Sequence, residues 1–198
     1  TRVRSSAASD VYKRQIQTHM LDRGLNGLRM YPVPADVRRL MYKVKHAQGV
    51  DITRIFCGLN EVRNIIPSIH YALEAGMIPQ ATLCITFSPV HTVEYYTAIA
   101  ERLIEAGAPE ICLKDMAGVG RPEMLGRLTK AIKERHPEII IQYHGHSGPG
   151  LSMASILEVC ENGADIIDVA MEPISWGKVH PDVILSLIHI SEPTRLQL

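Results

Sequence analysis

The sequence has no excess of charge of either sign. Its 198 residues carry 21 Lys and Arg against 21 Asp and Glu, a formal net charge of zero. Such a chain lacks the basic footprint of a nucleic-acid or polybasic membrane binder. Long apolar runs are missing as well. The uncharged stretch from Gly76 to Val93 is broken by Pro79, Gln80, Pro89 and His91, too polar to span a bilayer. There are only four cysteines, Cys57, Cys84, Cys112 and Cys160, with no CxxC spacing. Three lie in apolar runs, which reads as buried free thiols in a reducing, cytoplasmic compartment. Neither GxGxxG nor GxxxxGK[ST] follows any strand-like run, so a nucleotide-binding fold has no support. What is present is ordinary: 46% apolar and 21% charged residues, a globular composition that excludes disorder, collagen and coiled coil. The length allows one domain or most of a larger one.

The two ends stand apart. Residues 1–15, TRVRSSAASDVYKRQ, have no apolar periodicity, and 185–198 read LSLIHISEPTRLQL. Both resemble translated adaptor sequence at the ends of assembled gene fragments, so they are set aside as non-native tails. The expected native part is 16–184, mildly acidic, from a gene cut at both ends. Alone, such a fragment is expected to be inactive.

Within it, strand-like runs recur at Val50–Cys57, Gln80–Phe87, Glu110–Asp115, Ile139–His146 and Asp165–Met171, with starts 26–30 residues apart. Helical patterns alternate with them over Glu61–Ala75, Val93–Glu105, Pro122–Arg135 and Leu151–Asn162, with stops at Gly76, Gly107 and Gly163. Upstream, Ile16–Leu21 predicts another strand, and Pro32-Val33-Pro34 opens a helix over Ala35–Ala47. Strand then helix, repeated, predicts βαβ units and a parallel sheet. Two architectures compete. An open doubly wound sheet gathers its site at one switch point. A barrel brings every strand end to one mouth. Here five runs end in candidate chemistry: Cys57-Gly58-Leu59-Asn60, Thr86-Phe87-Ser88, Lys114-Asp115, His144-Gly145-His146 and Met171-Glu172. This favours an α/β (β/α)8 TIM barrel, incomplete, with about six βα units. A full barrel needs eight strands and about 250 residues.

Three features carry chemistry. His144 and His146, two apart at a strand end, put both imidazoles on one face, as two ligands of one divalent metal or as a hydrogen-bonded pair at a turn. The other histidines weighed, His19, His46, His70 and His136, fall on helices or termini and read as solvated. Lys114 follows the apolar Ile111-Cys112-Leu113, where an ammonium is costly to bury. It reads either as an ion pair with Asp115 or a carboxylate on an adjacent strand, or as a modified or pKa-shifted lysine. Arg23, in Asp22-Arg23-Gly24-Leu25-Asn26, is a surface arginine or a fork for a carboxylate substrate.

The strings GLNEVRN (Gly58–Asn64), SPVHTVEYY (Ser88–Tyr96), CLKDMAG (Cys112–Gly118), HGHSGPG (His144–Gly150) and GADIIDVA (Gly163–Ala170) occur in order. Together they resemble the carboxyltransferase domain of the biotin-dependent enzymes acting on pyruvate and oxaloacetate: pyruvate carboxylase, the oxaloacetate decarboxylase alpha chain and the transcarboxylase subunit of that type. The resemblance covers nearly all of 16–184. It implies a (β/α)8 barrel passing a carboxyl group between carboxybiotin and pyruvate. It implies a divalent metal (Zn, Mn or Co) on His144, His146 and a carboxylated Lys114, with an aspartate that would lie upstream of Ile16. Arg23 and Asn26 match the family's RGxN, whose arginine binds the keto acid. No Ala-Met-Lys-Met motif occurs, so biotin is expected on a separate carrier domain or subunit. A homo-oligomer is expected for the full-length protein, in the cytoplasm, with a peripheral place on a membrane complex left open. The chain departs from the family's HTHDT at His144-Gly145-His146-Ser147-Gly148 and from FDALND at Phe56-Cys57-Gly58-Leu59-Asn60-Glu61. After Glu172, Pro-Ile-Ser-Trp-Gly-Lys-Val-His-Pro replaces a glycine- and serine-rich loop, which marks a distinct branch. Two rivals stand beside this reading: a metal-dependent aldol lyase or condensing enzyme of related barrel type, which also uses HxH but gives no reason for the KDM string, and an inactive binding or assembly remnant.

Overall fold

A computed structural model describes residues 16–191. The string 1–15 and residues 192–198 lie outside the described residues. Of the C-terminal string, residues 185–191 continue a helix.

Six strands alternate with six helices. The strands are β1 (His19–Arg23), β2 (Ile52–Phe56), β3 (Ile78–Cys84), β4 (Glu110–Asp115), β5 (Ile140–Gly145) and β6 (Ile166–Ile167). The helices are α1 (Ala35–Ala47), α2 (Val62–Glu74), α3 (Val93–Glu105), α4 (Pro122–Arg135), α5 (Ser152–Glu161) and α6 (Val183–Ser191). The expected strand over Ile16–Leu21 starts later, at His19, and runs to Arg23, so His19 sits on a strand rather than in a terminus. The run at 165–171 pairs only through Ile166 and Ile167.

All strands are parallel, in the order β1-β2-β3-β4-β5-β6. An open doubly wound sheet reverses its order at a switch point. Sequential order without reversal is how a (β/α)8 barrel winds, and six of its units are present among the described residues.

Local chemistry explains the elements. Thr92 caps α3 by accepting the Tyr95 N–H at 3.2 Å. Pro122 opens α4, where its missing N–H costs nothing. The expected helix stops hold: Gly76, for example, takes φ +81°, and Met77 N–H returns to the Ala72 carbonyl at 3.0 Å. Helices α2, α3 and α4 bury their apolar stripes on the sheet's outer face. Ile65 and Ile69 of α2, Leu103 of α3, and Leu125 and Leu128 of α4 form one cluster with Ile55, Leu83, Ile111, Leu113 and Ile141 of the strands. Full burial of each such side chain is worth about 1.5–3 kcal/mol. Of the four expected buried thiols, Cys84 and Cys112 are buried, whereas Cys57 and Cys160 are half-exposed at element ends; all four are free. Among the described residues no helix is long and apolar enough to cross a membrane.

Buried charges also sit in this outer layer, Asp22 among them. Asp22 is 1% exposed and accepts the Tyr42 hydroxyl, with one carboxyl oxygen unpartnered. Burial raises its carboxyl to about 6, against the opposing Tyr42 bond and Arg38 charge. The folded state therefore holds the proton more tightly than the unfolded chain, and stability falls as pH rises from about 4 to about 6. Asp22→Asn should gain up to about 3 kcal/mol at pH 7 and nothing near pH 3.5. Urea unfolding at both pH values measures it, and a variant destabilised at pH 7 would contradict the account.

Candidate active site and metal centre

Along each strand, side chains alternate between two faces. The helix-facing positions are mostly apolar, whereas the concave face carries a row of polar side chains. Arg54 Nε donates to Gln80 Oε1 at 2.6 Å. Gln80 Nε2 donates to Glu110 at 2.8 Å and to Gln142 Oε1 at 2.6 Å. Gln142 in turn donates to Asp168, and Arg54 Nη1 closes the circuit onto Asp168 Oδ2 at 2.7 Å. The circuit measures the curvature. In a flat sheet, β2 and β6 would stand four spacings apart, about 19 Å, beyond the joint reach of an arginine and an aspartate. Their contact requires a sheet bent into the arc of a barrel.

His144 stands at the end of that floor. Its Nδ1 donates to Asp168 Oδ2 at 2.5 Å. Burial lowers the imidazole to about 4, although the Asp168 carboxylate opposes the shift. The ring is neutral at pH 7, with Nε2 available as a ligand. Burial would raise the Asp168 carboxyl, but bonds from His144 and Arg54 outweigh it and hold the group well below the usual carboxylate range.

His146 follows on the same face, its Nε2 at 3.2 Å from His144 Nε2. Two ligands of a tetrahedral zinc with 2.0–2.1 Å bonds stand about 3.3 Å apart. The His146 Nδ1 is held by the Lys178 carbonyl at 2.6 Å. Both rings thus have the outer hydrogen bond that metal-binding histidines use to fix the inward nitrogen. This donor set fits a divalent metal.

Lys114 pairs in register with Cys84 on one side and His144 on the other. It does not pair with Asp115. That residue points to the other face, where its carboxylate accepts the Val119 and Gly120 N–H groups at 3.0 and 2.8 Å. Nor does Lys114 make an ion pair with a neighbouring strand among the described residues. Its ammonium lies 4.0 Å from the centre of the Phe56 ring. Burial lowers its pKa, and the charges of Arg54 and Arg23 act in the same direction. A cavity of about 480 Å³ joins Lys114, His144, His146 and Arg54, with Leu21 and Met116 in its wall. His19 lines it too, contrary to the expectation of a solvated terminal residue, and burial with Arg54 nearby lowers its imidazole to about 4.

Arg23 and Asn26 lie in an adjoining cleft of about 150 Å³ with Phe56, Cys57 and Asn64. The Phe56 ring stands beside both cations, 4.0 Å from the Lys114 ammonium and 5.9 Å from the Arg23 guanidinium carbon. The loop is pinned from behind: Arg38 and Ser68 both donate to the Gly24 carbonyl, at 2.5 and 2.7 Å. A Cβ at Gly24 would come within 2.3 Å of the Asn64 carbonyl oxygen, so only glycine fits between Arg23 and α2.

Reading strand ends alone misses Arg54, Gln80, Gln142 and Asp168, although Gln142, His144 and His146 already share one parity. It also misses His180. This residue comes from the loop after Glu172, and its ring centroid stands 4.5 Å from that of His144 and 4.8 Å from that of His146.

Similar proteins point the same way as this geometry. Residues 59–174 match the HMGL-like family model. A pyruvate carboxylase polypeptide of Methanocaldococcus jannaschii is 40% identical over 174 residues, 85% of this chain and 30% of that protein. The methylmalonyl-CoA carboxyltransferase 5S subunit of Propionibacterium freudenreichii subsp. shermanii is 38% identical over 133 residues, 67% of this chain and 26% of that protein. The carboxyl transferase domain of Rhizobium etli pyruvate carboxylase, solved with pyruvate, superposes with a TM-score of 0.87 at 30% identity, over 91% of this chain and 31% of that one. The chain thus spans under a third of the length of these relatives.

The polar floor makes a prediction. Arg54→Met strips the half-buried Asp168 of its cation and should cost about 1–3 kcal/mol. Asp168→Asn should cost less in that background than in the parent, because the pair is already broken. A double-mutant cycle by urea unfolding reads the coupling, and additive losses would show that the circuit is not one unit.

Proposed function

The chain belongs to the HMGL-like family, and within it we propose that residues 16–184 are part of a carboxyltransferase that moves a carboxyl group between carboxybiotin and pyruvate, in the manner of pyruvate carboxylase or oxaloacetate decarboxylase. The observation that carries this reading is Lys114, a buried amine without an ion pair among the described residues, in register with His144 and in one cavity with the HxH pair. An aldol lyase or condensing enzyme gives no reason for a lysine there.

Each residue then has a task. Lys114, its ammonium disfavoured by burial, offers a neutral amine to CO2. The addition releases one proton and leaves an anionic carbamate, which turns a group that repels cations into an oxygen donor. His144 and His146 present their Nε2 lone pairs beside it. A divalent metal (Zn, Mn or Co) held by these three groups would polarise the keto group of the substrate by a Lewis-acid effect. Arg23 clamps the carboxylate of the keto acid through its planar fork, and Asn26 lines the same cleft. Biotin arrives on a separate carrier domain or subunit, the main partner of this surface. The full-length protein acts as a homo-oligomer. Four free thiols support a reducing, cytoplasmic setting.

Two measurements on the complete enzyme test this. In biotin-dependent decarboxylation of oxaloacetate, followed as pyruvate release, Arg23→Lys should lower kcat/KM roughly 10–100-fold, the 1.5–3 kcal/mol of a hydrogen bond to a charged group. Folding should not change, because the only bond of the Arg23 side chain among the described residues goes to the Arg29 carbonyl at 3.3 Å. Unchanged kinetics would remove Arg23 from the site. His146→Ala should lose metal and turnover together. If elemental analysis finds a full equivalent of metal in that variant, the HxH pair is structural and the mechanism fails.

A further inference from the structure

We propose that His180 is a third imidazole ligand of the divalent metal, which makes this centre richer in nitrogen donors than His144, His146 and a carboxylated Lys114 alone. The inference rests on the metal reading of the HxH pair and goes beyond it, since His180 lies in the segment that departs from the family pattern.

Three observations carry it. One ring nitrogen from each of His144, His146 and His180 falls within 4.8 Å of the other two. All three Nδ1 atoms are already engaged: His144 to Asp168, His146 to the Lys178 carbonyl, and His180 to the Gly145 carbonyl at 2.8 Å. Carboxylate and carbonyl oxygens only accept, so Nδ1 of His146 and His180 donates. His144 Nδ1 also lies 2.9 Å from Arg54 Nη1, but the shorter 2.5 Å contact to Asp168, which Arg54 Nη1 itself bonds, makes it a donor too, and every Nε2 keeps its lone pair. Outer bonds of this kind are what orient metal-ligating histidines. The third observation is the loop itself. Ser147 N–H donates to the Val179 carbonyl at 2.8 Å and Ala170 N–H to the Pro181 carbonyl at 2.9 Å, which sews the segment to the ends of β5 and β6. Its turn holds Trp176 at φ +66°, a conformation a tryptophan takes only when its surroundings impose it. The Trp176 N–H and the His180 carbonyl close that turn at 2.8 Å. The loop therefore delivers His180 to one defined place.

The donor set also indicates which metal is held. Three imidazoles suit zinc or cobalt, whereas a carboxylate-rich shell suits magnesium or manganese.

The test uses the whole protein and zinc or cobalt alone, without substrate. His180→Asn keeps an amide N–H where Nδ1 donates to Gly145 but has nothing in place of Nε2. Zinc affinity, from competition with a chromogenic chelator, should fall at least roughly 10–100-fold, the size of loss known for outer-shell changes. The cobalt d–d absorption should shift and weaken. If His180→Asn keeps the parent's affinity and cobalt spectrum while His144→Ala and His146→Ala lose both, His180 only positions the Gly145 carbonyl and the proposal is wrong. If His144→Ala and His146→Ala also keep zinc, the metal reading itself falls. A readout in the unmutated protein guards against misfolding of the variant: zinc should slow acylation of His180 by diethylpyrocarbonate, located by peptide mass mapping. Equal rates with and without zinc would overturn the assignment.

Discussion

The guanidinium of Arg54 ties the site together. It reaches Asp168 across 114 positions of sequence and four strand spacings. Among the described residues no other side-chain pair joins β2 to the segment that follows β6. The same carboxylate fixes the His144 ring, so one cation bears on both the curvature of the sheet and the tautomer of the His144 imidazole. Buried ion pairs are often poor sources of net stability, because desolvation offsets their attraction. This pair is better understood as a positioning device. Apolar side chains could fill the space, but they could not hold Nδ1 of His144 protonated and Nε2 free.

The two faces of the sheet divide the work. Toward the helices, Ile55, Leu83, Ile111, Leu113 and Ile141 supply the apolar burial that keeps the strands in register. Toward the interior, the row Arg54, Gln80, Glu110 and Gln142 supplies direction rather than burial. Register links the two. Because Cys84, Lys114 and His144 are direct partners on β3, β4 and β5, a slip of one residue would send Lys114 into the helix layer and turn Asp115 inward. The chemistry at the strand ends is therefore as secure as the hydrophobic packing behind it.

This explains what can be read in the sequence. The helix over Val93–Glu105, the helix over Pro122–Arg135 and the strand over Glu110–Asp115 are legible to the residue, because each carries its own period and its own cap or stop. Lys114 and the HxH pair are legible because a charge or two imidazoles stand out against apolar runs. Arg54 reads as an interruption in VDITRIFC and Asp168 as one in DIIDVA. Their meaning lies in each other, and no local pattern relates residues on β2 and beyond β6. His19 falls in the strand expected over Ile16–Leu21, but the face it takes is fixed only by its pairing with Ile52, in step with Leu21 and Arg54. His180 is hidden for a third reason. Its loop has no periodicity, and its place follows from backbone bonds that exist only once β5 and β6 stand side by side.

Charge in the cavity shows why the pieces must be arranged this way. Asp168 is bonded to Arg54, His144 and Gln142, and Glu110 is bonded to Gln80. Both acids of the floor are thus engaged beneath the site. Arg23 and Lys114 have no acid of their own among the described residues, and they flank the Phe56 ring. Two cations so placed repel each other through a medium poor in water, where such interactions are strong. The strain has two reliefs. Arg23 can pair with an anion, and burial already disfavours the Lys114 ammonium. Under the function proposed above, a keto acid carboxylate would supply the first and conversion of the amine to a carbamate the second. Among the described residues this interior sets Arg23, Arg54 and Lys114 against Glu110 and Asp168, and the proposed reaction would bring in the negative charge that balances them.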